Sequence, residues 1–158
     1  VAAFGVPLDH YICCTGGGGL INGTALAFEG ATPGTKVWAA EPAGHDDWTR
    51  SLAKGDIVAN APGTRSICDA ILTPKPGNIT FALGKRLLAG GCVVTDDHVR
   101  EAMRFAFRHL KVVAEPGGAA ALAAAMFALP AEAKGKRVGV IISGGNVDPA
   151  QFAEIIAG

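Results

Sequence analysis

The sequence predicts an α/β protein of three layers, in which a mainly parallel sheet carries helices on both faces. Three observations lead to this prediction. Short apolar runs alternate with longer segments whose apolar residues recur at helical spacing. Glycine-rich turns stand where such runs end. The run RVGVIIS, Arg137–Ser143, is almost continuously apolar, which is typical of a parallel strand covered on both faces.

The first half of the chain is predicted to contain two strands and three helices. The clearest of these elements are, in order, the strand Tyr11–Cys14, the helix Leu20–Phe28, the strand Lys36–Glu41 and the helix Asn78–Ala89. Asp46 and Asp47 precede a further short helix that Gly55 would end. Gly90 and Gly91 are expected to end the last helix of this half. Residues 57–73 are rich in turn formers and receive no assignment.

The second half is predicted to contain three helices around the strand RVGVIIS. Thr95 or Asp96 can cap the first helix. Its apolar positions fall on one face, and they are Val99, Ala102, Met103, Ala106, Phe107 and Leu110. Pro116 fits the first position of a helix that runs through the alanines to about Ala128. The tail DPAQFAEIIAG forms a short amphipathic helix.

Composition excludes several classes of function. The 158 residues suffice for one domain with a core, and the formal net charge is +0, which offers no basic surface for nucleic acid or anionic membranes. No apolar run reaches the length of a membrane span. The cysteines form no C-x-x-C pair, so neither a zinc site nor a disulfide framework is predicted, and a cytoplasmic location is expected. They are Cys13, Cys14, Cys68 and Cys92.

The segment YICCTGGGGLINGTALAFEG places four glycines between a strand and a helix. This is the geometry in which backbone N–H groups and a helix N-terminus hold a phosphate. The dinucleotide fingerprint G-x-G-x-x-G does not fit, and Gly23-Thr24 lacks the lysine of a Walker A motif. The alternative interpretation is a tight strand–helix turn that needs glycine for close packing.

A second glycine turn, ISGGN, follows the last predicted strand. Ligands of open α/β sheets bind at the carboxyl ends of strands, so the two turns are expected to border one crevice. Ser143 would present a hydroxyl there, and Asn146 an amide. The alternative for Ser143 is a helix cap or a turn residue.

Five motifs in this order carry a family resemblance: TGGGGL, AAEP, RSICDAI, EPGGAAALAA and ISGGNVD. Together they resemble the pyridoxal-phosphate-dependent threonine/serine dehydratases of fold type II, the tryptophan-synthase-β-like group that includes serine racemase. The resemblance covers essentially the whole chain. It implies that the backbone of the glycine turn binds the cofactor phosphate, through Gly16, Gly17, Gly18, Gly19 and Leu20.

The same resemblance implies two contacts to the cofactor ring. Ser143 would face the pyridine nitrogen, and Glu115 would lie close to the ring. A neutral hydroxyl need not keep the ring nitrogen protonated, which makes the ring a weaker electron sink and suits prompt loss of a β-hydroxyl. The alternative for Glu115 is a carboxylate placed ahead of a helix N-terminus. Ala70 stands where relatives have glycine, so a ring-edge contact there stays open.

The resemblance also implies a divalent cation site in EPAGHDD. Glu41, the backbone carbonyl of His45, and Asp47 would supply oxygen ligands for Mg²⁺ or Ca²⁺. The alternative is that Asp46 and Asp47 only cap the next helix. The other histidines are expected to be ordinary surface or strand-end residues, and they are His10, His98 and His109.

Some parts of the family pattern do not occur in this chain. It has no Ser-Phe-Lys-type motif for the Schiff-base lysine and no asparagine-containing loop for the substrate carboxylate. The chain starts without methionine, and VAAFGVPLD is typical of the end of a helix. We therefore expect residues 1–158 to be the C-terminal portion of the large cofactor-binding domain of a longer protein. The N-terminal segment with the lysine and the small domain would be absent from this chain.

The functional hypothesis is a fragment of a pyridoxal-phosphate-dependent lyase. Intact, it would dehydrate and deaminate threonine or serine to a 2-oxo acid and ammonia, as a homo-oligomer without nucleic-acid or membrane partners. The alternatives are a serine racemase or hydroxyaspartate dehydratase of the same family, or a non-catalytic phosphate- or nucleotide-binding module. The isolated chain is expected to be inactive. Gly18→Val is expected to abolish phosphate binding and leave the fold recognisable.

Overall fold

A computed structural model describes residues 5–158 of the chain. Within this range four strands form one sheet in the order β3-β2-β1-β4, and every neighbouring pair is parallel. The strands are β1 His10–Cys14, β2 Lys36–Pro42, β3 Leu88–Val94 and β4 Val138–Val140. The helix end that the sequence suggests at the start of the chain falls largely on residues 1–4, outside the described residues.

Within residues 5–158, six α-helices surround this sheet. They are α1 Gly19–Ala31, α2 Asp47–Lys54, α3 Asn78–Leu87, α4 Asp96–Phe105, α5 Pro116–Phe127 and α6 Pro149–Ala157. A wider π-helical turn, Ala106–Leu110, continues α4, and short 3₁₀ turns occur at Asp69–Ile71 and Ala131–Ala133. None of the helices in residues 5–158 has the combination of length and apolar character that a membrane crossing requires.

The core consists of two clusters, one on each face of the sheet. Ile12 and Cys14 of β1 face α4, α5 and α6, whereas Cys13 faces α1, α2 and α3. Successive strand side chains point to opposite faces, so β1 contributes to both clusters. The alanine-rich helix α5 is buried along most of its length, because small side chains let it pack closely across the sheet. The predicted three-layer α/β fold is confirmed.

Strand β3 is the element that the sequence analysis missed. The predicted helix Asn78–Ala89 ends at Leu87, and the segment with Gly90 and Gly91 pairs with β2 instead of forming a turn. Glycines weaken a strand in isolation, so the local pattern points away from the structure that pairing imposes. Gly91 lies against α2: a β-carbon there would be 2.0 Å from the hydroxyl of Thr49.

The predicted strand RVGVIIS is shorter and less buried than its apolar run suggests. Only Val138–Val140 forms β4, which pairs with β1 at the edge of the described sheet and is half-buried. Val138 and Val140 pack against one core cluster and Ile141 packs against both, so the segment differs from the expectation in length and depth of burial. In the described part of the chain, no second neighbour pairs with β4.

Helix α4 follows its predicted apolar face only as far as Ala106. Val99, Ala102, Met103 and Ala106 are buried, and Thr95 caps the helix as predicted, with its hydroxyl accepting the N–H of His98. The π-helical turn changes the angular register after that point. Phe107 and Leu110, which the pattern placed on the same face, are consequently exposed.

His10 and the four cysteines are all buried. His10 begins β1 but is not a surface residue, because it is buried with its Nδ1 atom accepting the indole N–H of Trp38 at 3.1 Å. All four cysteines are buried, and none is in a disulfide bond in this structure.

Candidate functional site

The two predicted glycine turns border one cleft at the carboxyl ends of β1 and β4. The cleft has a volume of about 180 Å³. Its walls come from the glycine turn, the 3₁₀ turn Asp69–Ile71 and the segment after β4. The lining residues are Cys14, Thr15, Gly16, Gly17, Gly18, Gly19, Leu20, Ile21, Ala70, Ile71 and Ser143. A larger cavity, of about 540 Å³, lies around Pro7–His10 and Thr32–Lys36 at the opposite, amino-terminal ends of the strands.

Two of the four glycines, Gly16 and Gly18, lie close against other parts of the protein. A β-carbon on Gly16 would lie 3.2 Å from the backbone of Ile71. Gly18 has a φ of +91°, and a β-carbon there would lie 2.1 Å from Cζ2 of Trp48. For Gly18 the alternative interpretation, a tight turn with close packing, accounts for glycine, whereas at Gly16 a β-carbon would require the Ile71 backbone to shift by a few tenths of an ångström.

Gly17 and Gly19 have no such close contacts. The nearest atom to a β-carbon on Gly17 is 4.0 Å away, in Thr73, and nothing lies within 4 Å of one on Gly19. Neither residue has a positive φ. Since both line the cleft, a side chain at either position would occupy cleft space rather than clash with the described protein. Such an open cradle fits a ligand that approaches the backbone closely.

The N–H groups of this turn are available to a ligand. In the described chain the N–H groups of Gly16, Gly17, Gly18, Gly19 and Leu20 donate no hydrogen bond to a backbone carbonyl. Gly19 begins α1, so the partial positive charge of a helix N-terminus lies at the same place. Among the described residues, no lysine or arginine lines the cleft. The residues present therefore fit a phosphate held by neutral backbone donors.

Ser143 lies on the cleft wall, as the sequence analysis expected. Its hydroxyl is 2.9 Å from the sulfur of Cys14, which ends β1. The pair joins the last residue of β1 to the turn that follows β4. Cys14, Thr15, Ile21 and Ile71 are cleft residues that sequence reasoning did not single out, although Cys14 and Thr15 directly precede the glycines.

Glu115 supports the second glycine turn and is not among the residues that line the cleft. Its carboxylate accepts the N–H of Asn146 at 2.9 Å, and its own N–H donates to the carbonyl of Gly144 at 3.0 Å. A β-carbon on Gly118 would lie 2.5 Å from that carbonyl, so the turn packs tightly on the start of α5. Glu115 occupies the N-cap position of α5. Its predicted proximity to a cofactor ring stays a prediction.

Glu41, the first predicted cation ligand, is fully buried at the carboxyl end of β2. Its carboxylate accepts the N–H groups of Trp48 and Thr49, at 2.7 and 2.8 Å, and the hydroxyl of Thr49 at 2.6 Å. Burial raises the pKa of Glu41 to about 7. The first turn of α2 is thus satisfied by Glu41. Asp46 occupies the N-cap position of α2, but its side chain makes no capping hydrogen bond and pairs with Arg50 instead.

Asp47 and His45 lie beside this carboxylate in the sequence and are also buried. Asn60 donates to one carboxylate oxygen of Asp47 at 2.6 Å, while the other oxygen is buried without a partner in the described structure. Burial raises the pKa of Asp47. The imidazole of His45 contacts the hydroxyl of Thr64 at 3.1 Å.

These groups suit a hard cation only in part, because both oxygens of Glu41 already accept hydrogen bonds from α2. Neither Glu41 nor Asp47 takes part in an ion pair among the described residues, and one oxygen of Asp47 is free. Residues 5–158 contain no cluster of three or more histidine, cysteine or acidic side chains suited to a metal. The predicted site uses only two carboxylates and one backbone carbonyl, so its occupancy by Mg²⁺ or Ca²⁺ stays a prediction.

A parallel α/β sheet with a glycine turn of unpaired N–H groups after its first strand is typical of proteins that bind a phosphate-bearing ligand. The chain belongs to the pyridoxal-phosphate dependent enzyme family, whose family model matches residues 1–144. The resemblance inferred from the five motifs is thereby confirmed, and pyridoxal phosphate is the cofactor of this family.

Individual relatives agree with this assignment. The chain is 40% identical to serine racemase from Dictyostelium discoideum over 151 residues, which cover 94% of the chain and 46% of that protein. It is 37% identical to L-threo-3-hydroxyaspartate ammonia-lyase from Pseudomonas sp over 153 residues, 96% of the chain and 47% of that protein. The chain thus spans about half the length of the curated relatives it matches.

Solved structures of fold type II share the architecture. A threonine deaminase from T.th. superposes with a TM-score of 0.85 at 33% identity, covering 93% of this chain and 53% of that one. Maize serine racemase superposes with a TM-score of 0.84 at 36% identity, covering 95% of this chain and 46% of that one.

Proposed function

We propose that the chain is the cofactor-binding portion of a lyase that dehydrates and deaminates a β-hydroxy amino acid, threonine or serine, to a 2-oxo acid and ammonia. The observation that carries this proposal is the cleft in which unpaired N–H groups of the glycine turn and the hydroxyl of Ser143 line a common wall. The N–H groups suit the phosphate of pyridoxal phosphate, and the hydroxyl of Ser143 suits its ring nitrogen.

The phosphate would be held by Gly16, Gly17, Gly18, Gly19 and Leu20 through their N–H groups, with the start of α1 behind them. Hydrogen bonds from N–H groups to an ionised phosphate are stronger than those between neutral groups, so no cationic side chain is needed. The open space at Gly17 and Gly19 would receive the phosphate oxygens.

Ser143 would contact the pyridine nitrogen with a hydroxyl. When bound, pyridoxal phosphate withdraws electrons from the α-carbon of an amino acid joined to it, the step that dehydration and racemisation have in common. A hydroxyl at the ring nitrogen carries no charge and does not hold a proton there. This supports chemistry in which the β-hydroxyl leaves as soon as the α-proton is removed.

The base for that proton would come from outside this chain. Among the described residues no lysine lines the cleft, and several lysines have other partners: Lys36 pairs with Glu132, and Lys85 donates to the carbonyl of Gly55. We propose that residues 1–158 form the C-terminal portion of a large domain. The Schiff-base lysine and a small domain would belong to an N-terminal segment.

Racemisation of serine is the second candidate function, because serine racemases stand among the relatives, one at 40% identity. Dehydration of hydroxyaspartate is the third, supported by the ammonia-lyase at 37% identity. A non-catalytic phosphate-binding module receives less support, since the relatives named above are enzymes.

The test is to assay the intact protein that carries this chain with L-threonine, L-serine and L-threo-3-hydroxyaspartate. Release of 2-oxobutanoate or pyruvate with ammonia from the first two is expected. D-serine as the main product, or turnover of hydroxyaspartate alone, would contradict the threonine/serine assignment and select one of the alternatives. No reaction with any of the three substrates would contradict the enzyme proposal as a whole.

A further inference from the structure

Three consecutive carbonyl groups of the glycine turn each accept a hydrogen bond from a side chain behind the turn. Trp48 Nε1 donates to the carbonyl of Gly16, Thr80 Oγ1 to that of Gly17, and Asn22 Nδ2 to that of Gly18, each at 2.7 Å. The three donors come from three different helices, α2, α3 and α1. This arrangement fixes a segment that has almost no side chains of its own.

A trans peptide group directs its carbonyl and the N–H of the next residue to opposite sides. The described chain has no cis peptide bond, so each fixed carbonyl also fixes the following N–H. We propose that Trp48, Thr80 and Asn22 are positioning residues that aim the N–H groups of Gly17, Gly18 and Gly19 at the cofactor phosphate. The inference rests on the proposed role of this turn in phosphate binding.

Trp48 is the most constrained of the three donors. It is fully buried, and its indole has a single N–H, which has Gly16 as its partner. Its ring lies between two glycines, because β-carbons on Gly18 and Gly84 would lie 2.1 and 2.4 Å from its atoms. The indole therefore packs against the turn at Gly18 and also donates a hydrogen bond to the carbonyl of Gly16.

The side-chain amide of Asn22 donates to two backbone carbonyls, and one of them is that of Gly18. Its Nδ2 donates to the carbonyl of Thr80 at 3.0 Å as well as to Gly18, so both of its hydrogens are used. Its oxygen is buried without a partner in the described structure. The opposite amide orientation would bring an oxygen against two carbonyl oxygens, so these two carbonyls determine the orientation. A buried amide that leaves its acceptor unpaired is consistent with a donor function.

Thr80 is the most accessible donor and the most suitable for an experiment. Its single hydroxyl hydrogen is near two carbonyls, that of Gly17 at 2.7 Å and that of Gly77 at 3.0 Å. Because Thr80 is only half-buried and lies outside both core clusters, removal of its hydroxyl leaves the core intact. Without this bond, the Gly17–Gly18 peptide could turn its carbonyl toward the phosphate, which would repel the anion.

The experiment compares Thr80→Val with Thr80→Ser in absorbance titrations with pyridoxal phosphate and with pyridoxal, which lacks the phosphate. Thr80→Val should weaken binding of pyridoxal phosphate by about 3- to 10-fold, as expected for loss of one hydrogen bond. Binding of pyridoxal should not change, and Thr80→Ser should restore the lost affinity. Asn22→Leu should act in the same direction, although the carbonyl of Gly18 keeps a second donor, the backbone N–H of residue 22 at 3.2 Å.

Thr35→Val is the matched control. The hydroxyl of Thr35 also donates to a backbone carbonyl at 2.7 Å, that of Leu8, but at the opposite end of the sheet. Thr35→Val should leave the affinities for pyridoxal phosphate and for pyridoxal unchanged. Amide spectra of ¹⁵N-labelled protein provide a second measurement: inorganic phosphate should shift the signals of Gly17, Gly18 and Gly19 less in Thr80→Val than in the unaltered protein.

The possible outcomes distinguish a failure of the positioning role from a failure of the proposed phosphate site. If the unaltered protein prefers pyridoxal phosphate to pyridoxal and folded Thr80→Val and Asn22→Leu bind like it, the positioning role is wrong and phosphate binding stands. An equal loss of affinity for both ligands would also overturn the positioning role, since it indicates general damage to the cleft. If the unaltered protein shows no preference for the phosphorylated ligand, the proposed phosphate site fails and the positioning role fails with it.

Discussion

The indole of Trp48 lies directly against Gly18, so closely that a β-carbon on the glycine would be 2.1 Å from Cζ2 of the ring. The same glycine has a φ of +91°. The two constraints are independent, and both act on the fold before any ligand is present. They overturn the expectation that Gly18→Val would leave the fold recognisable while abolishing phosphate binding.

Gly18→Ala and Gly19→Ala should therefore separate stability from binding. Gly18→Ala should lower the free energy of unfolding by about 2 kcal/mol or more, because it combines a positive φ with overpacking. Gly19→Ala should retain or slightly raise stability, since alanine is favoured at a helical position, and should weaken binding of pyridoxal phosphate. Urea denaturation and absorbance titration measure the two properties. Equal stability of the two variants would contradict the packing argument.

Ser143→Ala should give a different pattern of binding from the glycine variants. The ring nitrogen is present in pyridoxal as well as in pyridoxal phosphate, so loss of the hydroxyl should weaken both ligands by a similar factor, about 3- to 10-fold. Gly19→Ala should weaken only the phosphorylated ligand. A Ser143→Ala protein that loses affinity for pyridoxal phosphate alone would show that Ser143 does not contact the ring.

If the cation site is occupied, the free energy of unfolding should depend on Mg²⁺ or Ca²⁺. Mg²⁺ or Ca²⁺ at 100 times its dissociation constant should stabilise the unaltered protein by about 2.7 kcal/mol relative to a chelator. Asp47→Asn should lose this increment, because it removes a carboxylate that lies buried with one oxygen free. Asp46→Asn is the matched control, since Asp46 pairs with Arg50 and should keep the increment. Thermal midpoints that shift equally in all three proteins would count against the site.

Acid stability should depend on the contact between Asp9 and Arg137. The carboxylate of Asp9 accepts the N–H of Arg137 at 2.9 Å and its Nε at 3.1 Å, which joins the starts of β1 and β4. The side-chain hydrogen bond from Arg137 lowers the pKa of Asp9 from 3.8 to about 2. Between these values the unfolded chain binds more protons, so stability falls as pH falls toward about 2.

Asp9→Asn removes this titration. Between about pH 4 and pH 2 the variant should lose less stability than the unaltered protein, as measured by urea midpoints across this range. Asp56→Asn is a suitable control because Asp56 is on the surface and has no ion pair in the described structure. Parallel midpoint curves for the unaltered protein and Asp9→Asn would rule out the contribution.

The isolated chain should bind pyridoxal phosphate without covalent attachment. Because no lysine of the described residues lines the cleft, borohydride should fix no stoichiometric label, and threonine or serine should release no 2-oxo acid. Peptide mapping by mass spectrometry after reduction measures this directly. Complete labelling of one lysine together with turnover would show that the chain carries its own catalytic base.

Much of the fold could be predicted because it depends on local pattern. The apolar runs of β1 and β2, the cap at Thr95 and the proline at the start of α5 all act through neighbouring residues. Strand β3 could not be predicted in this way. Its glycines are typical of a helix end, and only pairing with β2 makes them part of a strand.

The sequence by itself determined that a glycine turn suited to phosphate lies between β1 and α1 and that Ser143 follows a later strand, since both depend on the order of strands, helices and glycines. Only the tertiary structure decided which glycines serve packing and which leave room for a ligand. It also decided that Glu41, and not Asp46, satisfies the start of α2. The contact of Trp48 with Gly16 joins residues 32 positions apart. Such contacts depend on how helices pack across a sheet, and no local pattern encodes that distance.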